Sequence, residues 1–134
     1  MKITFPGGLK VQAEYKDHKI MTDQPVHSGG DGTAPSPFDL FLASIGTCVG
    51  IYVKSFCEQR GIDASEIVIN QKMEINPQTR MIGTVTFEMN LPAGFPEKYK
   101  DAVVNTANQC AVKRHIMNPP AFNYVINIAN ENSI

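Results

Sequence analysis

Two cysteines 62 positions apart, Cys48 and Cys110, are the residues of this chain best suited to chemistry. Both fall in segments that read as helical, beside small neighbours, in Ser44-Ile45-Gly46-Thr47-Cys48 and Asn108-Gln109-Cys110-Ala111. Thiols serve three ends: metal binding, structural disulfides and redox cycling. The third cysteine, Cys57, lies nine positions after Cys48 and 53 before Cys110, which fits neither a CxxC pair nor a zinc pattern. His18, His27 and His115 do not cluster with the thiols, so neither a metal nor a bound cofactor is expected. An odd number of cysteines with no export signal argues against a disulfide framework and leaves redox-active thiols.

Helical geometry separates the three. Nine positions at 100° each place Cys57 about 180° round the axis from Cys48, so the two cannot share a face. Cys57 sits among Lys54, Ser55, Glu58, Gln59 and Arg60 and reads as incidental. Ser44 and Thr47 surround Cys48 with small polar groups, and Gly46 and Gly50 permit close approach by another backbone. Taken alone, Cys48 also fits a second description, a small buried hydrophobe.

The elements that position these residues follow from periodicity. Val11, Ala13 and Tyr15 alternate with polar residues, predicting a half-buried strand with His18–Asp23 as its partner, in a small meander over the first thirty residues. The glycine- and proline-rich run from His27 to Pro37 is a loop. Ser36 suits a helix N-cap, Pro37 its first position and Asp39 the third residue beyond the cap, so a helix is predicted to Arg60, stopping at Gly61. From Leu40 to Val53 it has no charge, which predicts a core helix buried all round and, at 14 residues, too short to span a bilayer. A hairpin follows, with Ile67, Ile69, Gln71, Met73 and Ile75 on one strand, a turn at Asn76–Thr79, and Met81 to Met89 returning. A second helix is predicted from Pro96 through Cys110 towards His115, and a last strand over Phe122, Tyr124, Ile126 and Ile128. The class is α+β.

Size and charge narrow the partners. With 134 residues and 43% hydrophobic content, the chain fits one domain, 1–134. Its net charge is −1 and the basic residues are dispersed, which excludes the phosphate-neutralising stripe of a nucleic-acid binder. The N-terminus breaks at Pro6-Gly7-Gly8 before an apolar segment forms, so the expected location is the cytoplasm, with no membrane partner.

The run from Gly29 to Cys48 resembles the glycine-rich loop and cysteine-bearing helix of the OsmC/Ohr family, the osmotically induced and organic-hydroperoxide-resistance proteins. Cys110-Ala111-Val112-Lys113-Arg114 is similar to that family's second-cysteine motif, and the order of elements extends the likeness over essentially the whole chain. The resemblance implies an OsmC-like fold, with antiparallel sheets wrapped around two long central helices in an intertwined homodimer, and thiol sites at the subunit interface. It also implies a thiol-dependent peroxidase. Cys48 would attack a small-molecule hydroperoxide and become a sulfenic acid, Cys110 would resolve it as a disulfide, and a dithiol reductant, lipoyl-linked in the hydroperoxide-resistance branch, would reopen it.

The chain departs from the peroxidase branches at the residues that activate the thiol. Those branches carry an arginine in the N-terminal meander and a glutamate ten residues before the first cysteine; here no arginine precedes Arg60, and Phe38 stands at the glutamate position. Asp39 matches an acidic position of an OsmC-like branch and equally fits a capping box. Lys10, Lys16 or Lys19 could supply a cation, as could Arg114, which also suits a helix C-terminus. His27 reads as an exposed loop residue or a base. The alternative function is a non-peroxidatic OsmC-like protein that binds a small hydrophobic or thiol-containing ligand at the dimer interface.

Overall fold

The computed structural model describes residues 1–129. Three strands, β1 (Lys2–Gly7), β2 (Lys10–Tyr15) and β3 (His18–Thr22), form an antiparallel meander in that spatial order. Pro6 lacks an N–H, and the β1–β2 register shifts between Thr4 and Gly7, where the ladder must skip it. β2 and β3 pair Tyr15 with His18 across a two-residue turn, Lys16-Asp17, in which both residues adopt positive φ, 46° and 63°. That backbone follows the right-handed twist of the strands.

The meander ends at Asp23, which is fully buried and organises the glycine-rich segment after it. Its carboxylate accepts hydrogen bonds from the Gln24 N–H (2.8 Å), the Thr33 N–H (3.1 Å) and the Thr33 hydroxyl (2.7 Å). Gly30 passes so close to the backbone of Gln24 that a Cβ there would overlap it. The segment is thus a folded loop, and it delivers Ser36 to the start of α1 (Pro37–Glu58).

Ser36 and Asp39 form the predicted capping box, with Asp39 N–H donating to Ser36 Oγ (3.2 Å) and Ser36 N–H to Asp39 Oδ2 (3.1 Å). The helix is shorter than expected by one turn's fraction: its regular part ends at Glu58, and Gly61, at φ 66°, closes it through Ile62 N–H to Cys57 O (2.9 Å). The expectation of all-round burial is corrected. Ile45, Val49, Val53, Phe56 and Cys57 make a buried stripe, whereas Phe38, Phe41 and Ile51 are about half exposed, because α2, α3 and β4 pack on one side of this helix. Over its full 22 residues α1 is long and apolar enough to cross a membrane, but its buried stripe belongs to the protein core.

β4 (Val68–Ile75) and β5 (Ile82–Asn90) form the second hairpin, pairing Ile69 with Met89, Gln71 with Phe87 and Met73 with Val85. The predicted phase holds from Ile69 to Met73 and from Val85 to Met89, whereas Ile67 and Met81 fall outside the strands and a register shift at Glu74/Ile75 pairs Ile75 with Ile82. Gln71 reaches from β4 to α1, donating from Nε2 to Leu42 O (3.0 Å), and its amide fills the space that a Cβ on Gly46 would need. Gly46 therefore admits a side chain rather than a backbone, and Gly50 faces open space.

The second predicted helix is broken, which corrects the picture of two long central helices. A 3-10 turn at Glu97–Tyr99 leads into α2 (Lys100–Ala107), and a separate α3 (Ala111–Met117) follows. Gln109 and Cys110 turn back onto Thr106 and Ala107 carbonyls, and Cys110 leaves helical geometry at φ −46°, ψ 126°. The core joins Val49, Val53, Phe56 and Cys57 of α1 to Phe95, Val103, Ala107 and Cys110. The last predicted strand is also corrected: residues 119–129 form no strand, and Phe122, Tyr124, Ile126 and Ile128 are at least three-quarters exposed. An alternating apolar pattern becomes a strand only against a sheet edge, and among the described residues this segment pairs with neither the β1–β3 nor the β4–β5 sheet.

Candidate functional site: a thiol pair at a helix start

α1 and the α2–α3 break bring Cys48 and Cys110 together. Cys48 is partly buried on α1, and Cys110 is fully buried as the N-cap of α3, its Sγ accepting the Lys113 N–H at 3.4 Å. The hydroxyls of Ser44 and Thr47 do not assist Cys48; they donate back to the Phe41 carbonyl (2.6 Å) and the Ala43 carbonyl (2.8 Å) of their own helix.

The environments of the two sulfurs push their acidities apart. Burial raises the Cys48 thiol, but a hydrogen bond from the Cys110 thiol, the N–H groups of Val112 and Ala111, and the charge of Arg114 outweigh it, leaving Cys48 more acidic than an ordinary cysteine. Burial raises Cys110, and its bond to Cys48 raises it further against the Lys113 N–H. Cys48 therefore loses its proton first while Cys110 keeps its own and donates it. This is the polarity that a nucleophilic sulfur and its partner require. Cys57 is buried in the core, and burial likewise pushes its thiol up.

Of the candidate activating residues, the structure joins Arg114 to the thiols, one turn after Cys110 on α3. Asp39 is held in the capping box, nine residues and so about 13 Å along α1 from Cys48 and on the opposite side of the helix. Lys16 occupies the β2–β3 turn, its Nζ 5.1 Å from the Tyr15 ring centroid, where it borders an open concavity of about 660 Å³ on the meander. Lys10 pairs with Asp31 at 2.6 Å and lies 3.9 Å from Asp23. His27 lies exposed in a 3-10 turn at Val26–Ser28.

Two contributors escaped the sequence reading. The free N–H groups of Ala111 and Val112 depend on the break at Cys110, and cysteine is not among the residues that announce an N-cap. Asn108 was the available hint, since its short amide favours turns over helix interiors. Among the described residues no group of three or more His, Cys, Asp or Glu side chains could hold a metal.

A cysteine on a long apolar helix, reached by a glycine-rich loop and faced by a second cysteine from a later helix, defines a thiol-pair α+β class. Residues 30–125 match the model of the OsmC-like protein family, and the chain belongs to that family. A solved structure described as an osmotic stress induced and detoxification response protein from Psychrobacter arcticus is 25% identical, with 84% of each chain covered and a TM-score of 0.70. An organic hydroperoxide resistance protein OsmC from Legionella pneumophila shares the fold at 20% identity, covering 86% of this chain and 85% of its own, with a TM-score of 0.52. No curated protein matches the chain.

Proposed function

We propose that this protein is a thiol-dependent hydroperoxide reductase in which Cys48 is the peroxidatic residue and Cys110 the resolving one. The observation that carries the reading is the placement of Cys48 of α1 against Cys110 at the start of α3, with the Ala111 and Val112 N–H groups and the Arg114 charge lowering the Cys48 thiol while burial and Cys48 raise that of Cys110. The Cys48 thiolate attacks the outer oxygen of the hydroperoxide, the O–O bond breaks, and the alkoxide leaves and takes a proton from water. The Cys110 thiol then displaces hydroxide from the Cys48 sulfenic acid, giving a disulfide and water. Two thiols and one hydroperoxide thus become a disulfide, an alcohol and water, and an external dithiol returns the pair to its reduced state.

In this reading the α3 N–H groups and Arg114 replace the missing N-terminal arginine and its glutamate partner. The working unit is a cytoplasmic homodimer of single-domain subunits. The exposed Phe38, Phe41, Met81 and the apolar stretch from Phe122 to Ile128 support a second copy as the cover for these surfaces. Mass spectrometry after one equivalent of cumene hydroperoxide tests the chemistry. A Cys48–Cys110 disulfide that Cys48→Ser abolishes is expected, with the sulfenic acid trapped in Cys110→Ser. Thiols left unchanged would instead leave the protein as a ligand-binding member of its family.

A further inference from the structure

A groove of about 370 Å³ runs between α1 and the α2 end, starting at Ile51 and Gln109, three residues after Cys48 and one before Cys110 in sequence, with neither sulfur in its lining. Tyr52, Ser55 and Gln59 on one wall stand four, seven and eleven positions after Cys48, which places each within about 40° of it around the helix axis. Across from them, Gln109 immediately precedes Cys110, and Thr106 lies one turn earlier. The groove therefore follows the face of α1 that carries Cys48.

Arg60 stands at its far end. Its Nη1 donates to the Phe56 carbonyl at 3.0 Å, and its Cζ lies 3.7 Å from the Phe56 ring centroid and 5.4 Å from that of Tyr99. Stacking and that bond hold the guanidinium while leaving most of its N–H groups free, and among the described residues no carboxylate pairs with it. Lys54, on the same helix, is already matched with Glu58 at 2.8 Å. A guanidinium fixed in this way suits a planar carboxylate.

Length and polarity define the ligand further. The guanidinium lies level with Phe56, eight residues and about 12 Å along the axis from Cys48. Three extended residues of peptide span about 10 Å. Ser55, Gln59, Thr106 and Gln109 present neutral donors and acceptors that a plain hydrocarbon chain would bury without partners, whereas amide groups satisfy them. We propose that the groove selects hydroperoxides of short peptides or other amide-bearing acids, with the terminal carboxylate on Arg60 and the hydroperoxide at Cys48. The proposal rests on the peroxidase reading and names its substrate class and a specificity-determining residue. The chemical step is unchanged: the peptide alkoxide is the leaving group and becomes the peptide alcohol.

The test compares the side-chain hydroperoxide of N-acetyl-leucyl-glycyl-glycine with that of its C-terminal amide. In the unaltered protein the acid should form the Cys48–Cys110 disulfide about tenfold faster than the amide, the effect of one charge-assisted pair. Arg60→Gln should bring that ratio close to one, and Arg60→Lys should restore part of it. A ratio near one in the unaltered protein, or one that survives Arg60→Gln, overturns the proposal even if cumene hydroperoxide still oxidises the thiols. If no hydroperoxide oxidises them, the peroxidase reading falls, and titration with N-acetyl-leucyl-glycyl-glycine itself, which carries no hydroperoxide, judges the groove alone. Binding weakened about tenfold by Arg60→Gln then retains the site, and absence of saturable binding removes it.

Discussion

At the scale of single residues, one sulfur has been made acidic by groups that the sequence order keeps far apart. Arg114→Gln removes a positive charge that acts on Cys48, so its thiol should titrate at higher pH, and thiolate absorbance against pH reads the change directly. An unmoved titration would show that the α3 N–H groups and Cys110 suffice. Asp23 offers a second test through a different property. The Thr33 N–H and hydroxyl, with the Gln24 N–H and the Lys10 charge, hold its carboxyl at about 2 against an ordinary 3.8, despite burial. A depressed carboxyl stabilises the fold above its unfolded value and ceases to do so as pH falls through its folded one. Thermal melts should therefore lose stability between about pH 4 and pH 2, and Asp23→Asn should flatten that dependence while lowering stability at neutral pH.

At the scale of elements, the loop before α1 is held by close packing as much as by hydrogen bonds. Gly30→Ala places a methyl group onto the Gln24 backbone, where no rotamer can relieve it, and should lower stability by about 2 kcal/mol or more in denaturant melts. Strand alternation and helix caps were legible because they depend on near neighbours: Val11, Ala13 and Tyr15 marked β2, and Ser36, Pro37 and Asp39 marked the start of α1. The broken helix and the missing last strand have different physical origins. The helix through Cys110 was read as continuous because Asn108-Gln109-Cys110 contains no proline or glycine, and the break is made instead by a side chain capping the next turn. The alternation from Phe122 to Ile128 was real, but a strand needs a partner edge that local sequence cannot provide. At the site, the cysteines were legible by type and flanking motif. Arg114 was one cation among several candidates, and the backbone donors of Ala111 and Val112 were invisible because every residue owns an N–H.

At the scale of the whole molecule, the chain leaves many large apolar side chains exposed. Phe38 and Phe41 stack with ring centroids 5.7 Å apart on the outer side of α1, and the hairpin end exposes Ile75 and Met81. Phe41→Glu should shift a homodimer towards monomer in sedimentation velocity experiments, since an unpaired charge would be buried at the contact. If the variant sediments as the unaltered protein does, this face lies outside the subunit contact. The small core also means that burial on association would add substantially to that available within each subunit.

The sulfur of Cys110, the proposed resolving thiol, is also the acceptor that begins a helix, so two customary replacements for cysteine ask different questions here. Serine removes the thiol yet keeps an N-cap oxygen, whereas alanine removes both and should cost α3 about 1 kcal/mol. Melting temperatures should thus separate Cys110→Ser from Cys110→Ala even if neither forms a disulfide. Were the proposed disulfide to form, the atom that takes the new bond would be the one that accepts the Lys113 N–H, so the redox step and the first turn of α3 would be coupled through a single sulfur.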